Sequence, residues 1–515
     1  MTERVKLHSS AGRWVIAAMA LGSGMIFLDT TVVNVALPSI QRDLAAPLSG
    51  LEWIVNSYAL LLAALLLMGG SIGDVYGRKV AFLTGLLIFA TASVLCGLAP
   101  NLSVLIAARA LQGLGGALLV PGSLAMIQVV IVQEDSARAI GLWAGLAGIT
   151  TAVGPLLGGY LVGAASWRWI FFINVPLGII TFLATARHVP TNRDEDATKD
   201  LDWSGALTSV MALGGLTYCL IEGPQRGWGS PQVVAAIAVG ALGLVLFPLR
   251  ELRTVHPMVP LSIFRSRNFT GANLATVGVY SSMGGGLLFL VLDLQQVEGY
   301  SPLQAGAALL PISVLLLFLS SRVGGLMTRF GARLPLTLGP AMTGAGFLLF
   351  TANGRHLNYV LNLVPPVLLV GIGMSVFVTP LATTVMTSIP EHLGGIASGV
   401  NNAVTRVASL LAIAVLGLIM VSRFGSTLAL QTQHLPIDGQ ARAALIAHAD
   451  RLADDPMPPH LNAVQKRGVR QAVDASFTDG FHWVMGTCAA LCLLSAVFSA
   501  VVIRDERPIE SAVAA

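Results

Sequence analysis

Apolar stretches of about 20 residues, separated by short polar segments, recur along almost the whole chain. A helix that crosses a bilayer needs about 20 mainly apolar residues. Fourteen stretches satisfy this requirement, near residues 14–37, 52–73, 80–99, 102–128, 138–163, 170–187, 203–222, 232–249, 269–292, 303–321, 334–352, 358–382, 394–421 and 481–503. The pattern predicts an all-α polytopic membrane protein with 14 transmembrane helices.

The composition agrees with this prediction. Hydrophobic residues make up 55% of the 515 residues, and charged residues make up only 11%. A typical soluble protein carries about 25% charged residues, so a soluble protein of this size would lack the ions to cover its surface. The 55 glycines follow no collagen-like period and suit closely packed membrane helices.

The distribution of basic residues predicts the orientation. If the N-terminus is inside, most of the 30 Lys and Arg residues lie in inner segments, and the short outer segments hold only Arg42, Arg168, Arg226 and Arg355. Cytoplasmic loops carry the excess of Lys and Arg, so we expect both termini in the cytoplasm and the chain in the plasma (inner) membrane. The basic residues are dispersed, so no nucleic-acid partner is expected. The first apolar stretch is too long for a signal peptide, and we expect it to be retained.

Other residue patterns argue against disulfides, metals and cofactors. All four cysteines lie inside apolar stretches, and no His lies at metal-ligand spacing from a Cys. Residues 422–480 form the only long polar segment, which we expect to be an outer loop. Within it, DGQARAALIAHADRL and LNAVQKRGVRQAV predict two short amphipathic helices hinged at DPMPPH. This loop is either a solvated cap or a lid over the outer mouth.

Two turns of similar sequence indicate an internal repeat. GGSIGDVYGRK (Gly69 to Lys79) and GGLMTRFGAR (Gly324 to Arg333) each follow one apolar stretch and precede another. Two homologous halves are a common arrangement in secondary transporters. We therefore expect an N-terminal six-helix bundle over 1–200, an inserted helix pair over 201–268 and a C-terminal six-helix bundle over 269–515.

Five motifs carry a resemblance to a known family. They are the turn Gly70–Asp74–Gly77–Arg78–Lys79, LIAARALQGLGGA (Leu105 to Ala117), GITTAVGPLLGG (Gly148 to Gly159), LDTTVVNVALP (Leu28 to Pro38) and WRWIFFINVP (Trp167 to Pro176). With these motifs the chain resembles the major facilitator superfamily, specifically its fourteen-span drug:proton antiporter family. The resemblance covers nearly the whole chain. It implies proton-coupled export of amphipathic, often cationic drugs from the cytoplasm by alternating access, by a protein that works as a monomer.

Charged residues inside the apolar stretches are the candidates for proton coupling. Asp29 lies midway along the first stretch, and a carboxylate there is costly unless it faces a cavity or carries protons. Arg109 needs a counter-charge or several carbonyls, and the resemblance places it in a proton relay. Asp293 is the third candidate, near the outer end of its stretch. The alternatives are a fixed hydrogen bond for Asp29, structural anchoring for Arg109 and simple access to water for Asp293.

The resemblance also assigns a gating turn and an antiporter signature. In the turn, Asp74 would accept a helix-end N–H or pair with an arginine of the other half and so hold the inner side shut. Thr328 stands in the second-half turn where the first half has Asp74, so any inner gate there should be weaker. The gating residues are Gly70, Asp74, Gly77, Arg78 and Lys79; the signature residues are Gly154, Pro155, Gly158 and Gly159.

Glycines spaced four apart on the fifth span predict close helix packing. Gly141 with Gly145 and Gly154 with Gly158 form two such pairs. Small residues at this spacing let helix backbones approach closely. The residues that we assign to the substrate cavity are Gln112, Glu222, Gln295 and Arg406.

The sequence disfavours three other classes of membrane protein. An ATP-driven transporter would need a G-x-x-x-x-G-K-[ST] loop, and none of the four lysines has that context. A membrane enzyme would need a nucleophile with its base, which the sequence does not suggest, so we assign no catalytic residues. The two-half repeat disfavours a channel. Export of one dedicated metabolite, such as an antibiotic or a siderophore, remains the alternative to drug efflux.

Overall fold

The computed structural model describes residues 5–191, 201–254, 257, 259–352, 358–390, 394–447, 449–454 and 461–505. Within these ranges the chain is helical, apart from turns, connecting segments and an isolated β-bridge between Val5 and Ile131. The α-helices are α1 Ser10–Leu44, α2 Leu48–Tyr76, α3 Arg78–Gly97, α4 Leu102–Val130, α5 Gln133–Ala164, α6 Trp169–Phe172, α7 Asn174–His188, α8 Trp203–Arg226, α9 Pro231–Arg253, α10 Arg267–Gln296, α11 Pro302–Phe330, α12 Arg333–Phe350, α13 Val364–Thr387, α14 Gly394–Gln433, α15 Gly439–Ala447 and α16 Ala463–Val502.

Three short helices complete the described elements. Leu261–Arg265 and Ala449–Asp454 are 3-10 helices, and Tyr359–Leu363 is a π-helix that continues into α13. Among the described residues, 12 helices are long and apolar enough to cross a membrane. The prediction of an all-helical, multi-pass membrane protein is confirmed. Helices also occupy the other two predicted spans, as α5 and α12, which are not among these 12.

Side-chain caps and glycines define where several helices begin and end. Ser9 accepts a hydrogen bond from the backbone N–H of Gly12, and Asn101 accepts one from Val104, so each caps a helix N-terminus. Gly77, between α2 and α3, has φ +104°, and Gly331, between α11 and α12, has φ +75°. These two glycines occupy the same position in the two turns of similar sequence.

The helices pack as two groups, and a further pair, α8 and α9, lies against both groups. In the first group α4 packs on α2 and α3, and α1 packs on α5 and α7. In the second group α16 packs on α10, α12 and α14, and α13 packs on α11 and α12. The two groups meet where α5 packs on α11 and where α2 packs on α14. Helix α8 packs on α9 and also contacts both α2 and α14.

The predicted outer loop is shorter than expected. Helix α14 continues to Gln433, and α16 already begins at Ala463, so the predicted helix LNAVQKRGVRQAV is the first part of α16. That separate helix is therefore a wrong prediction. Asn462 explains the start of α16, because its side chain and that of Gln465 form a capping box. The first predicted helix is confirmed as α15, and the hinge DPMPPH (455–460) lies outside the described residues.

Candidate functional site

A buried ion pair joins α1 to α4 in the interior of the first group of helices. Asp29 is 1% exposed and Arg109 is also 1% exposed. Nη1 of Arg109 donates to Oδ2 of Asp29 over 2.5 Å. The sequence predicted both residues as coupling candidates, and the structure brings them into direct contact.

Several further groups surround the Arg109 guanidinium. Its Nε donates to the backbone carbonyl of Ile54 over 3.1 Å, and Nη1 also donates to Oε1 of Gln112 over 2.7 Å. The guanidinium carbon lies 4.2 Å from the ring centre of Tyr58. A buried charge is costly unless it is paired and hydrogen-bonded, and Arg109 meets both conditions.

The amide side chains of Gln112 on α4 and Asn174 on α7 complete the network around Asp29. Nε2 of Gln112 donates to Oδ1 of Asp29 and to Oγ of Ser93, both over 2.8 Å. Nδ2 of Asn174 donates to the same two oxygens over 3.2 Å. The cluster of Asp29, Ser93, Arg109, Gln112 and Asn174, here called the Asp29 cluster, therefore links α1, α3, α4 and α7.

The donors around Asp29 are those that an ionised carboxylate requires. Arg109, Gln112 and Asn174 together direct three side-chain N–H groups at its two oxygens. Protonation of Asp29 would remove the counter-charge of Arg109 and would compete with these bonds. The arrangement therefore lets a proton on Asp29 change the forces that hold four helices together.

Ser93, Asn174 and Tyr58 are residues of this site that the sequence reasoning missed. Serine and asparagine occur in many membrane helices as packing residues, so their type alone gave no signal. Asn174 lies within WRWIFFINVP, a stretch that was noted only for its resemblance to the family. Polar residues that lie at the same depth in several predicted spans would have been the usable signal.

Asp293 lies apart from the Asp29 cluster, near the end of α10. It is 5% exposed and belongs to a helix of the second group. Gln295 and Gln296, on the same helix, donate their amide N–H groups to α1. Nε2 of Gln295 donates to the carbonyl of Val35 over 2.9 Å, and Nε2 of Gln296 donates to Oε1 of Gln41 over 2.7 Å. These bonds join the first group of helices to the second.

The two remaining cavity candidates lie on different helices. Glu222, near the end of α8, accepts from Nε1 of Trp53 over 2.9 Å and pairs with Arg226 over 2.5 Å. Arg406 lies on α14, and its buried Nε has no hydrogen-bond partner among the residues that the structure describes. Glu222 therefore lies outside the Asp29 cluster, whereas Arg406 interacts with Tyr58, whose ring Arg109 also contacts.

The gating candidates form a local ion pair at the turn between α2 and α3. Arg78 donates to Oδ1 of Asp74 over 2.8 Å from Nη2 and over 2.9 Å from Nε. Nζ of Lys79 donates to the carbonyl of Ala186 over 2.9 Å. A Cβ on Gly70 would lie 3.6 Å from Cβ of Pro121. The bonds of this turn connect α2, α3 and α7, which all belong to the first group.

The antiporter signature on α5 packs against two different helices. A Cβ on Gly154 would collide with Thr31 Oγ1, and one on Gly158 would lie 3.0 Å from Val32 Cγ1, so both glycines face α1. A Cβ on Gly159 would lie 2.5 Å from the carbonyl oxygen of Pro302 on α11. A Cβ on Gly306 would in turn collide with the carbonyl oxygen of Pro155.

Only one of the two glycine pairs predicted on α5 makes a tight contact. Among the side chains that the structure describes, no heavy atom lies within 4 Å of a Cβ built on Gly141 or Gly145, so the predicted close packing is not seen there. A four-residue spacing places two glycines on one helix face but does not determine whether another helix covers that face.

The four cysteines are free in the structure and lie buried in helices. In the described ranges, His, Cys, Asp and Glu side chains form no group of three or more that would hold a metal ion.

Comparison with known proteins identifies the family. A family model described as "Major Facilitator Superfamily" matches residues 19–413. This chain belongs to that superfamily. The match begins in α1, ends in α14 and includes the whole Asp29 cluster.

Members of the superfamily with resistance names are similar over most of the chain. "Multidrug resistance protein Stp" of Mycobacterium tuberculosis (strain CDC 1551 / Oshkosh) is 37% identical over 87% of this chain and 80% of its own length. "Tetracenomycin C resistance and export protein" of Streptomyces glaucescens is 33% identical over 96% of this chain and 92% of its own length.

A solved structure shows that the fold is also shared. A bacterial homologue of the human lysosomal transporter Spinster, in an inward-facing and unoccupied conformation, aligns with a TM-score of 0.65. The alignment covers 95% of this chain and 98% of that structure at 16% identity.

Proposed function

We propose that this member of the superfamily is a proton-coupled secondary antiporter that exports amphipathic, often cationic drugs from the cytoplasm by alternating access. Relatives with names such as "Multidrug resistance protein Stp" and "Drug efflux pump JefA" support drug export. The single observation that carries the proton coupling is the buried ion pair of Asp29 and Arg109. Buried ionisable residues in membrane helices commonly mark proton relays or substrate paths.

In the proposed cycle, Asp29 takes up a proton from the exterior when the protein opens outward, and a cationic substrate leaves. Once Asp29 is neutral, Arg109 keeps the bonds to Ile54 and Gln112 but loses its counter-charge. The helices then rearrange, Asp29 faces the cytoplasm and its proton leaves. The restored negative charge on Asp29 favours binding of the next cationic substrate. It also favours the ion pair between Asp29 and Arg109.

The proton gradient supplies enough free energy for such a cycle. The membrane potential supplies about 2.3 kcal/mol per elementary charge per 100 mV. A pH difference of one unit adds about 1.4 kcal/mol. For a neutral substrate one proton moves one net charge, and both terms together support a gradient of roughly several hundredfold. For a monovalent cation that leaves in exchange for one proton no net charge moves, and a pH difference of one unit alone supports about tenfold.

The proposal extends to the architecture. We count α5 and α12 as spans, which gives 14, and assign 1–200 and 269–515 to the two six-helix bundles. The pair α8 and α9, within 201–268, is the insertion; its contacts with both α2 and α14 support a place beside the junction of the bundles. The basic-residue distribution supports cytoplasmic termini in the plasma (inner) membrane, and we propose that the monomer, surrounded by lipid, is functional.

The other sequence-predicted residues keep supporting roles in this proposal. The turn of Gly70, Asp74, Gly77, Arg78 and Lys79 controls closure of the inner side. The signature glycines and Pro155 form a tight wall between α5, α1 and α11 that limits leak. Asp293 is a second acid that handles protons or cations. Gln112, Glu222, Gln295 and Arg406 are the proposed polar groups on the substrate path.

A dedicated exporter of one metabolite is the second candidate function. The names "Tetracenomycin C resistance and export protein" and "Methylenomycin A resistance protein" favour it, because each names one antibiotic. The test is a susceptibility panel on cells with and without the gene, repeated with an uncoupler. Protection against chemically unrelated amphipathic cations that the uncoupler abolishes would support the proposal. Protection against one compound class alone would favour the dedicated exporter, and protection that survives the uncoupler would contradict proton coupling.

A further inference from the structure

A second buried carboxyl group lies outside the Asp29 cluster. Glu52, near the start of α2, is 4% exposed, and its Oε1 has no hydrogen-bond partner in the described chain. Gly417 of α14 lies directly against this oxygen, because a Cβ built on Gly417 would collide with Oε1. The carboxyl group therefore fills the space that a side chain at position 417 would take, at a contact between the two groups of helices.

The groups around Glu52 offer it no positive charge. On α8 the facing ionisable group is Glu222, which is already bound to Arg226 and Trp53. A cleft that Glu52 itself lines is bordered on α14 by the uncharged residues Gly417, Leu418 and Val421. Helix α14 also carries two arginines that face other groups. The guanidinium carbon of Arg423 lies 3.7 Å from the ring centre of Trp483, and Arg406 interacts with Tyr58 of α2.

On the other elements that contact α2, the charged residues described next are paired with other groups or lie away from Glu52. On α4, Arg109 is bound to Asp29, and on α1, Asp43 is bound to Trp167 and Arg168. The turn to α3 carries the Asp74–Arg78 pair at the opposite end of α2. The 3-10 helix Ala449–Asp454 also contacts α2, and its titratable residues are Asp450, Arg451 and Asp454.

An ionised carboxylate with a dry, unpartnered oxygen is strongly unfavourable, and a nearby carboxylate adds repulsion. We propose that Glu52 is a proton-binding site that is occupied in this conformation and releases its proton to water when α2 and α14 separate. This inference rests on the proposed alternating access. On opening, the Glu52 O–H bond breaks, the proton passes to water in the cleft, and a hydrated carboxylate remains; on closing, the reverse occurs.

The linkage has a definite sign. Because the proton binds the closed junction more tightly than the open one, acid favours closure of α2 on α14 and base favours separation. One linked proton changes the ratio of open to closed molecules by up to about tenfold per pH unit. This proton returns to the side from which it came, so it adds to the pH dependence of the cycle without adding to the transported charge.

The test measures the conformational equilibrium without substrate. Spin labels on Leu98→Cys and Leu361→Cys, exposed positions in the two groups, report the open and closed populations of the full chain in nanodiscs by pulsed electron spin resonance. In wild type the proton on Glu52 should change the open-to-closed ratio by up to about tenfold per pH unit. We expect Glu52→Gln, which imitates the protonated acid, to lose this part of the pH dependence. The control Asp43→Asn, which removes an exposed carboxylate on α1, should keep the wild-type slope.

A second variant keeps the proposal testable if Glu52→Gln does not fold. In Gly417→Ala the new methyl group displaces the carboxyl oxygen, so we expect a shift towards the open population and a smaller slope. A wild-type slope in Glu52→Gln, or in Gly417→Ala where only that variant folds, would overturn the proposal. Because the readout needs neither a drug nor a proton gradient, failure of drug export in transport assays would be seen separately.

Discussion

Arg109 binds Asp29 directly, through a 2.5 Å hydrogen bond between Nη1 and Oδ2 in the protein interior. The same nitrogen also reaches Gln112, whose amide nitrogen returns to the other oxygen of Asp29. The three side chains thus form a closed ring of hydrogen bonds between α1 and α4. A proton on Asp29 would disturb the two bonds of this ring that Asp29 accepts, which makes the ring a suitable element for coupling protonation to helix movement.

Loss of one partner of this pair should destabilise the protein more than loss of both. Arg109→Gln leaves Asp29 buried without its counter-charge, a change that typically costs about 3–5 kcal/mol. The double variant Asp29→Asn/Arg109→Gln removes both charges and should recover much of that loss. Thermal unfolding in detergent checks this expectation. Strictly additive effects of the two single changes would contradict a direct coupling between the residues.

Adding a methyl group at Gly159 should weaken the contact between α5 and α11. In Gly159→Ala the new Cβ would lie 2.5 Å from the carbonyl oxygen of Pro302 and 2.6 Å from Cα of Leu303. Overpacking of this kind costs about 1–3 kcal/mol, so we expect slower transport and a lower unfolding temperature. Gly163→Ala is the matched control on the same helix, because no heavy atom of the described residues lies within 4 Å of a Cβ built there. Equal effects of the two changes would show that the α5–α11 contact does not matter.

The pair of Asp74 and Arg78 should affect transport much more than stability. The side chain of Asp74 is 43% exposed, and exposed ion pairs four residues apart contribute only about 0.3–0.5 kcal/mol. We therefore expect Asp74→Asn and Arg78→Ala to reduce the transport rate while substrate binding and unfolding temperature stay close to wild type. Transport in proteoliposomes and fluorescence binding measure the two properties. Arg322→Ala, an exposed arginine bonded within its own helix, is the control; wild-type transport in both turn variants would remove the gating role.

Much of the fold follows from apolar length, but its boundaries do not. Helices occupy all the predicted spans, because about 20 apolar residues have few other stable conformations in a bilayer. The error in 422–480 arose because the polar first part of α16 and its apolar remainder form one uninterrupted helix. A change of composition marks where the surroundings change and need not mark the end of a helix.

The site was only partly predictable for a related reason. Asp29 and Arg109 are conspicuous because a lone charge in an apolar stretch must be explained. Their meeting, and the contribution of Asn174, depend on how α1, α4 and α7 pack, which a single sequence does not show. Glu52 was missed because a carboxylate near the start of a span normally reaches water. Only the packing of Gly417 against it reveals that it is buried.

The most direct test of proton coupling at Asp29 is transport of an amphipathic cation such as ethidium into proteoliposomes under an imposed pH gradient. The purified proteins are wild type, Asp29→Asn and the control Asp43→Asn, whose side chain lies on the same helix but is 52% exposed. We expect wild type and Asp43→Asn to accumulate ethidium in proportion to the gradient and to move protons with it. Asp29→Asn should fold and bind ethidium but show no gradient-driven accumulation. Gradient-driven accumulation by Asp29→Asn at the wild-type rate would contradict the assignment of Asp29 as the coupling carboxylate.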